Sequence, residues 1–166
     1  MTLRPWQWML LPLRRYADFK GRAGRREYWW YAPLPPMLNF LANAALWNAS
    51  NTAGVLANLA LWLALLTPTL AVTTRRLHDT GRRGWWQALP LAVFLAYIGF
   101  TIGFVSLVET NNAGGITFSI FVVLLSLAVL ASAVTLLVWL LLPSQPGSNR
   151  FGPNPYDEGN IADDFA

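Results

Sequence analysis

The chain has 166 residues, 55% of them hydrophobic, with no cysteine and a single histidine, His78, which excludes a disulfide framework, a thiol nucleophile, a thiolate metal site and a multi-histidine metal centre. Its 12 Lys and Arg exceed 8 Asp and Glu, for a formal charge of +4, but these cations flank long apolar runs. Anionic lipid headgroups or phosphorylated ligands are therefore nearer partners than nucleic acid, which is not expected, and no cofactor is indicated.

Residues 1–28 form a basic and aromatic segment. Within it Trp6, Met9, Leu10, Leu13 and Ala17 recur at helical spacing while Arg14, Arg15 and Asp18 fall elsewhere, a pattern that suits a short helix lying in the membrane interface. Pro5 fits the first turn of such a helix, and Pro12 would bend or split it. An irregular segment anchored by Trp6 and Trp8 fits the same residues.

Four stretches without Asp, Glu, Lys, Arg or His follow, at residues 29–46, 53–72, 85–108 and 116–142. Each reaches the roughly 18–20 residues that cross about 30 Å of hydrocarbon as a helix. The expected fold is an all-α membrane protein with four transmembrane helices in residues 29–142, a cytoplasmic loop at 73–84 and a cytoplasmic tail at 143–166. The first stretch opens on Tyr28-Trp-Trp-Tyr31 and continues into Pro33-Leu-Pro-Pro36, so a kink or a delayed helix start is expected there. Ala42-Asn-Ala44 resembles a small-residue cleavage site, but the basic region before it is too long for a signal peptide, and the span is expected to stay uncleaved.

Asn39 and Asn43 share a helical face in the first stretch, and Asn58 lies in the second; such amides suit hydrogen bonds between neighbouring helices. In the third stretch Gly99 and Gly103 form a G-x-x-x-G pair that fits close packing within the chain or against a second copy. The fourth carries Ser126, Ala128, Ala131, Ser132 and Thr135, small side chains suited to helix contacts. Asn48-Ala-Ser50 matches a glycosylation acceptor but sits too close to the expected membrane surface to serve as one.

The cations set the topology. They occupy the N-terminal region, the 73–84 connection and, as Arg150, the tail, whereas the connections at 48–52 and 109–115 hold none. Positively charged loops are retained in the cytoplasm, so both termini are expected inside and the two short turns outside. Four crossings return the tail to the starting side, which agrees independently.

The densest chemistry lies in Thr73-Thr-Arg-Arg-Leu-His-Asp-Thr-Gly-Arg-Arg-Gly-Trp-Trp86. If its first part continues a helix, Arg76 and Asp79 are neighbours at i,i+3, and Arg75 and His78 share the adjacent face. A carboxylate there can pair with guanidinium and hold its orientation, while Gly81 and Gly84 let the chain turn. Topological charge plus an aromatic belt accounts for the arginines and tryptophans alone. A second set, Phe19-Lys-Gly-Arg-Ala-Gly-Arg-Arg-Glu-Tyr-Trp29, adjoins the first stretch. The tail adds Gly147-Ser-Asn-Arg-Phe-Gly-Pro-Asn-Pro155 and an acidic end with Asp157, Glu158, Asp163 and Asp164, expected to be solvated.

Together, Gly21-Arg22, Arg25, Glu27-Tyr-Trp29, Arg75-Arg-Leu-His-Asp79, Gly84-Trp-Trp86, Asn149-Arg-Phe-Gly152 and Pro155 resemble the DUF805 family of small bacterial inner-membrane proteins, in order from Phe19 to Pro155. The resemblance implies a four-helix protein of the inner, plasma membrane with its motifs on the cytoplasmic side, and it brings no assigned catalytic residue.

The expected function is non-enzymatic: an inner-face site for an anionic lipid headgroup, a phosphorylated ligand or an acidic partner. Its candidate residues are Arg22, Arg25, Arg75, Arg76, His78, Asp79, Asn149 and Arg150, with Glu27 as an orienting carboxylate and no metal ligands. Membrane lipids are the expected partners, with a second copy or another membrane protein as further options. Two other classes remain open. One is an oligomeric transporter or channel subunit with Asn39, Asn43 and Asn58 along a neutral route. The other is a lipid-phosphate enzyme using His78 as acid or base.

Overall fold

The computed structural model describes residues 4–46, 52–111 and 115–155, and every described element is helical apart from one isolated β-bridge. The helices are α1 (Pro5–Arg14), α2 (Arg25–Tyr31), α3 (Leu34–Leu46), α4 (Thr52–Asp79), α5 (Ala88–Asn111) and α6 (Gly115–Leu141), with a 3₁₀ turn at Gly84–Gln87. The Asn48-Ala-Ser50 motif, most of both short connections and the acidic end of the tail lie outside the described residues.

Among the described residues, three helical stretches are long and apolar enough to cross a membrane: Thr52–Asp79, Gly84–Val105 and Phe118–Leu141. The first apolar run, expected as one span over 29–46, is instead divided between the end of α2 and the 13 residues of α3. Proline explains the division. Pro33, Pro35 and Pro36 have no N–H, so the carbonyls of Trp29, Tyr31 and Ala32 lose their helical donors, and the helix restarts at Leu34 with two prolines in its first turn. At 1.5 Å per residue, α3 alone extends about 20 Å.

The chain divides into two compact units, Met1–Gly84 with Leu142–Ala166, and Trp85–Leu141. In the first, α1 packs on α2 and α4, and α3 packs on α4. Ala23, Tyr31, Leu34 and Val72 form its buried core, with Met9, Leu13, Tyr28 and Leu38 against it. Pro5 starts α1 as its position suggests, and Pro12 is held inside the helix, buried beside Leu11. The expected amide link is present: Asn58 Nδ2 donates to Asn43 Oδ1 at 2.8 Å, joining α4 to α3, and Asn43 Nδ2 donates to the Asn39 carbonyl at 2.7 Å.

In the second unit α5 and α6 pack on each other through an aromatic cluster in which the rings of Phe104 and Phe118 stack at 4.4 Å. Leu91, Leu95, Ile102, Ile120, Leu124 and Leu130 face outward. Helices apolar on every side, in a unit too small to bury them, are matched to hydrocarbon rather than water. A Cβ built on Gly99 or Gly103 meets nothing within 4 Å among the described residues.

Candidate functional site: a buried arginine and carboxylate knot

Helix α4 is 28 residues long, about 42 Å at helical rise, and exceeds the hydrocarbon thickness by roughly two turns. Those surplus turns carry the motif. Residues 73–79, expected within a loop, are helical because nothing in Thr73–Asp79 breaks the ladder, and Thr73 Oγ1 returns its proton to the Thr69 carbonyl at 2.7 Å. The helix stops at Gly81, whose φ of +75° suits glycine. Gly81 N–H bonds the His78 carbonyl at 3.0 Å and Arg82 N–H bonds Leu77 at 2.9 Å, the paired bonds of a Schellman C-cap. The connection that follows is only Thr80–Arg83.

Gly84 serves a different purpose from the turn expected of it. A Cβ there would lie 2.4 Å from the methyl of Thr74, itself buried, so the glycine lets the returning chain lie directly on α4.

The end of α4 gathers charge from across the sequence. Ala23 N–H donates to the Arg75 carbonyl at 3.0 Å and so lays the segment before α2 along these turns. This places Arg22, 5% exposed, against Asp79: Nε donates to Oδ1 at 3.0 Å and Nη2 approaches the same oxygen at 2.9 Å. The remaining donors of Arg22 reach the tail backbone, at the carbonyls of Gly147 and Gln145, both 2.6 Å away. Arg76 bonds Asp79 Oδ2 and the Leu142 carbonyl, and Ser144 Oγ also donates to Oδ2. Arg75 Nη1 pairs with Glu27 Oε1 at 2.9 Å. Arg75, Arg76 and Asp79 have no solvent exposure, and Glu27 has 3%.

Three guanidiniums and two carboxylates are thus enclosed together, leaving one excess positive charge. Two features offset it. The carbonyls of Leu142, Gln145 and Gly147 present their negative ends, and Arg75 and Arg76 sit in the last turns of a long helix whose dipole is negative there.

The tail is docked as well. Asn149 Nδ2 donates to the His78 carbonyl at 3.0 Å, while its Oδ1 accepts from Phe151 N–H at 2.9 Å. The Phe151 ring stacks on His78, with centroids 3.9 Å apart and planes within 3°. Arg150 donates to the Gly81 carbonyl at 2.9 Å and lies 4.6 Å from the Phe151 centroid. His78 Nδ1 is 3.1 Å from the Gly21 carbonyl, which can only accept, so Nδ1 carries the hydrogen. The carboxylate of Asp79 is turned to Arg22, Arg76 and Ser144, and the imidazole of His78 to Gly21 and Phe151.

Of the predicted site residues, Arg22, Glu27, Arg75, Arg76 and Asp79 are brought together in this buried knot. His78 and Asn149 form the tail dock beside it, and Arg25 and Arg150 are exposed. Arg26, not singled out for binding from the sequence, stands exposed next to Arg25, and the two line an open cleft with Trp29 and Trp30. Ser144 and the carbonyls of Leu142, Gln145 and Gly147 complete the knot without a sequence signal. A backbone acceptor leaves no mark on side-chain pattern, and Ser144 is an ordinary polar residue at a span end.

Residues 16–153 match the family described as "Protein of unknown function (DUF805)". The chain is 30% identical to inner membrane protein YhaH of Escherichia coli over 152 residues, which cover 89% of this chain and 95% of that one. It is 35% identical to inner membrane protein YhaI of the same organism over 59% of this chain and 82% of the relative. It is also 34% identical to the uncharacterized protein YiiR over 60% of each. No solved structure matches.

Proposed function

The chain belongs to the DUF805 family of inner-membrane proteins, and from that starting point we propose that it crosses the membrane four times, with both termini cytoplasmic, and presents an anionic-headgroup site on its inner face. The distribution of Lys and Arg supports this topology. So does length: α2 and α3 together extend about 30 Å if both lie along the membrane normal. α1, with Trp6 exposed and Leu11 buried, then lies in the interface.

The observation that carries the headgroup reading is the contrast between two groups of cations. Arg22, Arg75 and Arg76 are consumed by internal partners and frame the site. Arg25 and Arg26 are exposed on α2, one turn before Trp29 and Trp30, which are 39% and 47% exposed. Indole rings favour headgroup depth, and guanidinium takes phosphate in bidentate geometry, so this face combines a membrane anchor with an anion receptor. Arg150 adds a third exposed cation.

The test is lipid enrichment around the purified protein in nanodiscs of mixed phosphatidylglycerol and phosphatidylcholine, read by native mass spectrometry at low and high salt. The wild type should retain phosphatidylglycerol in several-fold excess over its bulk share, with the excess shrinking in salt. Arg25→Gln/Arg26→Gln should abolish the excess while thermal stability is kept, because both side chains are outside the buried knot. Undiminished enrichment in that variant would sink the proposal.

A further inference from the structure

The carboxylates described in the unit that carries α2 already have partners. Asp18 lies 3.4 Å from Arg15, Glu27 pairs with Arg75, and Asp79 with Arg22 and Arg76. None of the three is left for Lys20, Arg25 and Arg26, which are exposed. The same unit takes in the tail, where the sequence carries four more acids, Asp157, Glu158, Asp163 and Asp164.

The root of the tail is pinned close to these cations. Asn149 and Gly152 exchange both backbone hydrogen bonds at 3.0 Å, closing a tight turn, and Asn149 and Phe151 fasten that turn to His78. A Cβ built on Gly152 would lie 3.9 Å from Gly21 Cα. The turn therefore rests beside the residue that follows Lys20, and Asn154 and Pro155 after it are still partly buried. Gly21 and Arg25 are at most about 14 Å apart along the chain, whereas Asp157 and Asp164 can extend about 17 and 41 Å from Gly152. All four acids can reach the start of α2.

The two surfaces also match in kind. The cleft sets two guanidiniums beside the exposed indoles of Trp29 and Trp30, and the tail sets Ile161 and Phe165 among its carboxylates. Carboxylate, like phosphate, takes guanidinium in bidentate geometry, and an apolar side chain can cover an indole. A segment tethered this closely meets its site at an effective concentration on the order of millimolar.

We propose that residues 156–166 dock on the Arg25 and Arg26 cleft and hold it closed to anionic headgroups until the membrane offers enough of them to displace the tail. This rests on the headgroup reading of that cleft and adds its regulation. Exposed ion pairs are individually weak and screened by salt, so the tail is a reversible competitor. It suppresses binding where anionic lipid is scarce and yields where anionic lipid is abundant.

The test uses the full-length protein in nanodiscs and a variant with the four acids neutralised, Asp157→Asn/Glu158→Gln/Asp163→Asn/Asp164→Asn. With phosphatidylglycerol as a minor component of phosphatidylcholine, native mass spectrometry should find about fivefold more of it retained on the variant, the worth of roughly two exposed ion pairs. Adding Arg25→Gln/Arg26→Gln should remove that gain. The contact itself is read in phosphatidylcholine alone. Lys20 is the only lysine, and a carbodiimide joins its amine to a carboxylate in contact with it. Cross-links from Lys20 to the tail acids should form at low salt and fall several-fold in Arg25→Gln/Arg26→Gln. Equal enrichment of phosphatidylglycerol on wild type and neutralised variant would overturn the tail's role and leave the headgroup site standing. No enrichment on the neutralised variant would overturn the headgroup site itself. Cross-links indifferent to Arg25→Gln/Arg26→Gln would overturn the docking, because tethering alone would then bring the tail to Lys20.

Discussion

Each oxygen of the Asp79 carboxylate faces a guanidinium, Oδ1 toward Arg22 and Oδ2 toward Arg76, in surroundings that exclude solvent. Removing that charge leaves two buried cations short of their anion. Asp79→Ala is therefore expected to cost about 3–5 kcal/mol, the usual penalty for breaking a buried ion pair from one side. Reversible unfolding in detergent measures it, and a loss below about 1 kcal/mol would mean that the knot relaxes and admits water. Part of this arrangement is legible in the sequence: Arg76 and Asp79 stand three residues apart on what proves to be a helix, and Glu27 is near enough to a basic cluster to suggest a counter-charge. The Arg22 partnership is not legible, because 57 residues separate Arg22 from Asp79 and no local pattern links them. Burial is equally hidden, since a run such as Arg75-Arg76 reads as solvated until a second segment is laid over it.

At the scale of elements, the two glycines of the connection do different work. Gly81 supplies a backbone conformation, and Gly84 supplies space. Gly84→Ala should drive a methyl group into Thr74 and cost about 1–3 kcal/mol, as overpacking typically does. Thr74→Ser removes the obstructing methyl, so the double variant should recover much of the loss. If it recovers none, the penalty at position 84 comes from the backbone, not from the contact. Sequence periodicity identifies the long helices α4, α5 and α6 because apolar runs of this length have few other solutions. It merges α2 and α3 because hydropathy is blind to the missing N–H groups of Pro33, Pro35 and Pro36, even though those prolines correctly announce a disturbance. It also ends α4 too early, since crossing to charged residues marks where hydrocarbon stops and not where a helix must stop.

For the whole molecule, the absence of cysteine makes the topology directly measurable. Single cysteines introduced at Lys20 and Ser148 should react with a membrane-impermeant maleimide only after the cytoplasmic side is opened, and one at Asn112 should react from outside in intact cells. Reaction of the Ser148 position from outside would require an odd number of crossings. The knot also imposes an order in time. Arg22 leaves the ribosome long before two of its acceptors, carbonyls 123 and 125 residues later, and Arg76 waits 66 residues for Leu142. Until residues 142–147 are made, these guanidiniums lack those acceptors, and in the proposed topology their charge would resist translocation. Only the emerging tail completes their coordination. In the proposed topology the same arginines would act first as charges that orient the chain during insertion and afterwards as the fixed interior of the folded unit, with the arrival of residues 142–147 dividing the two roles.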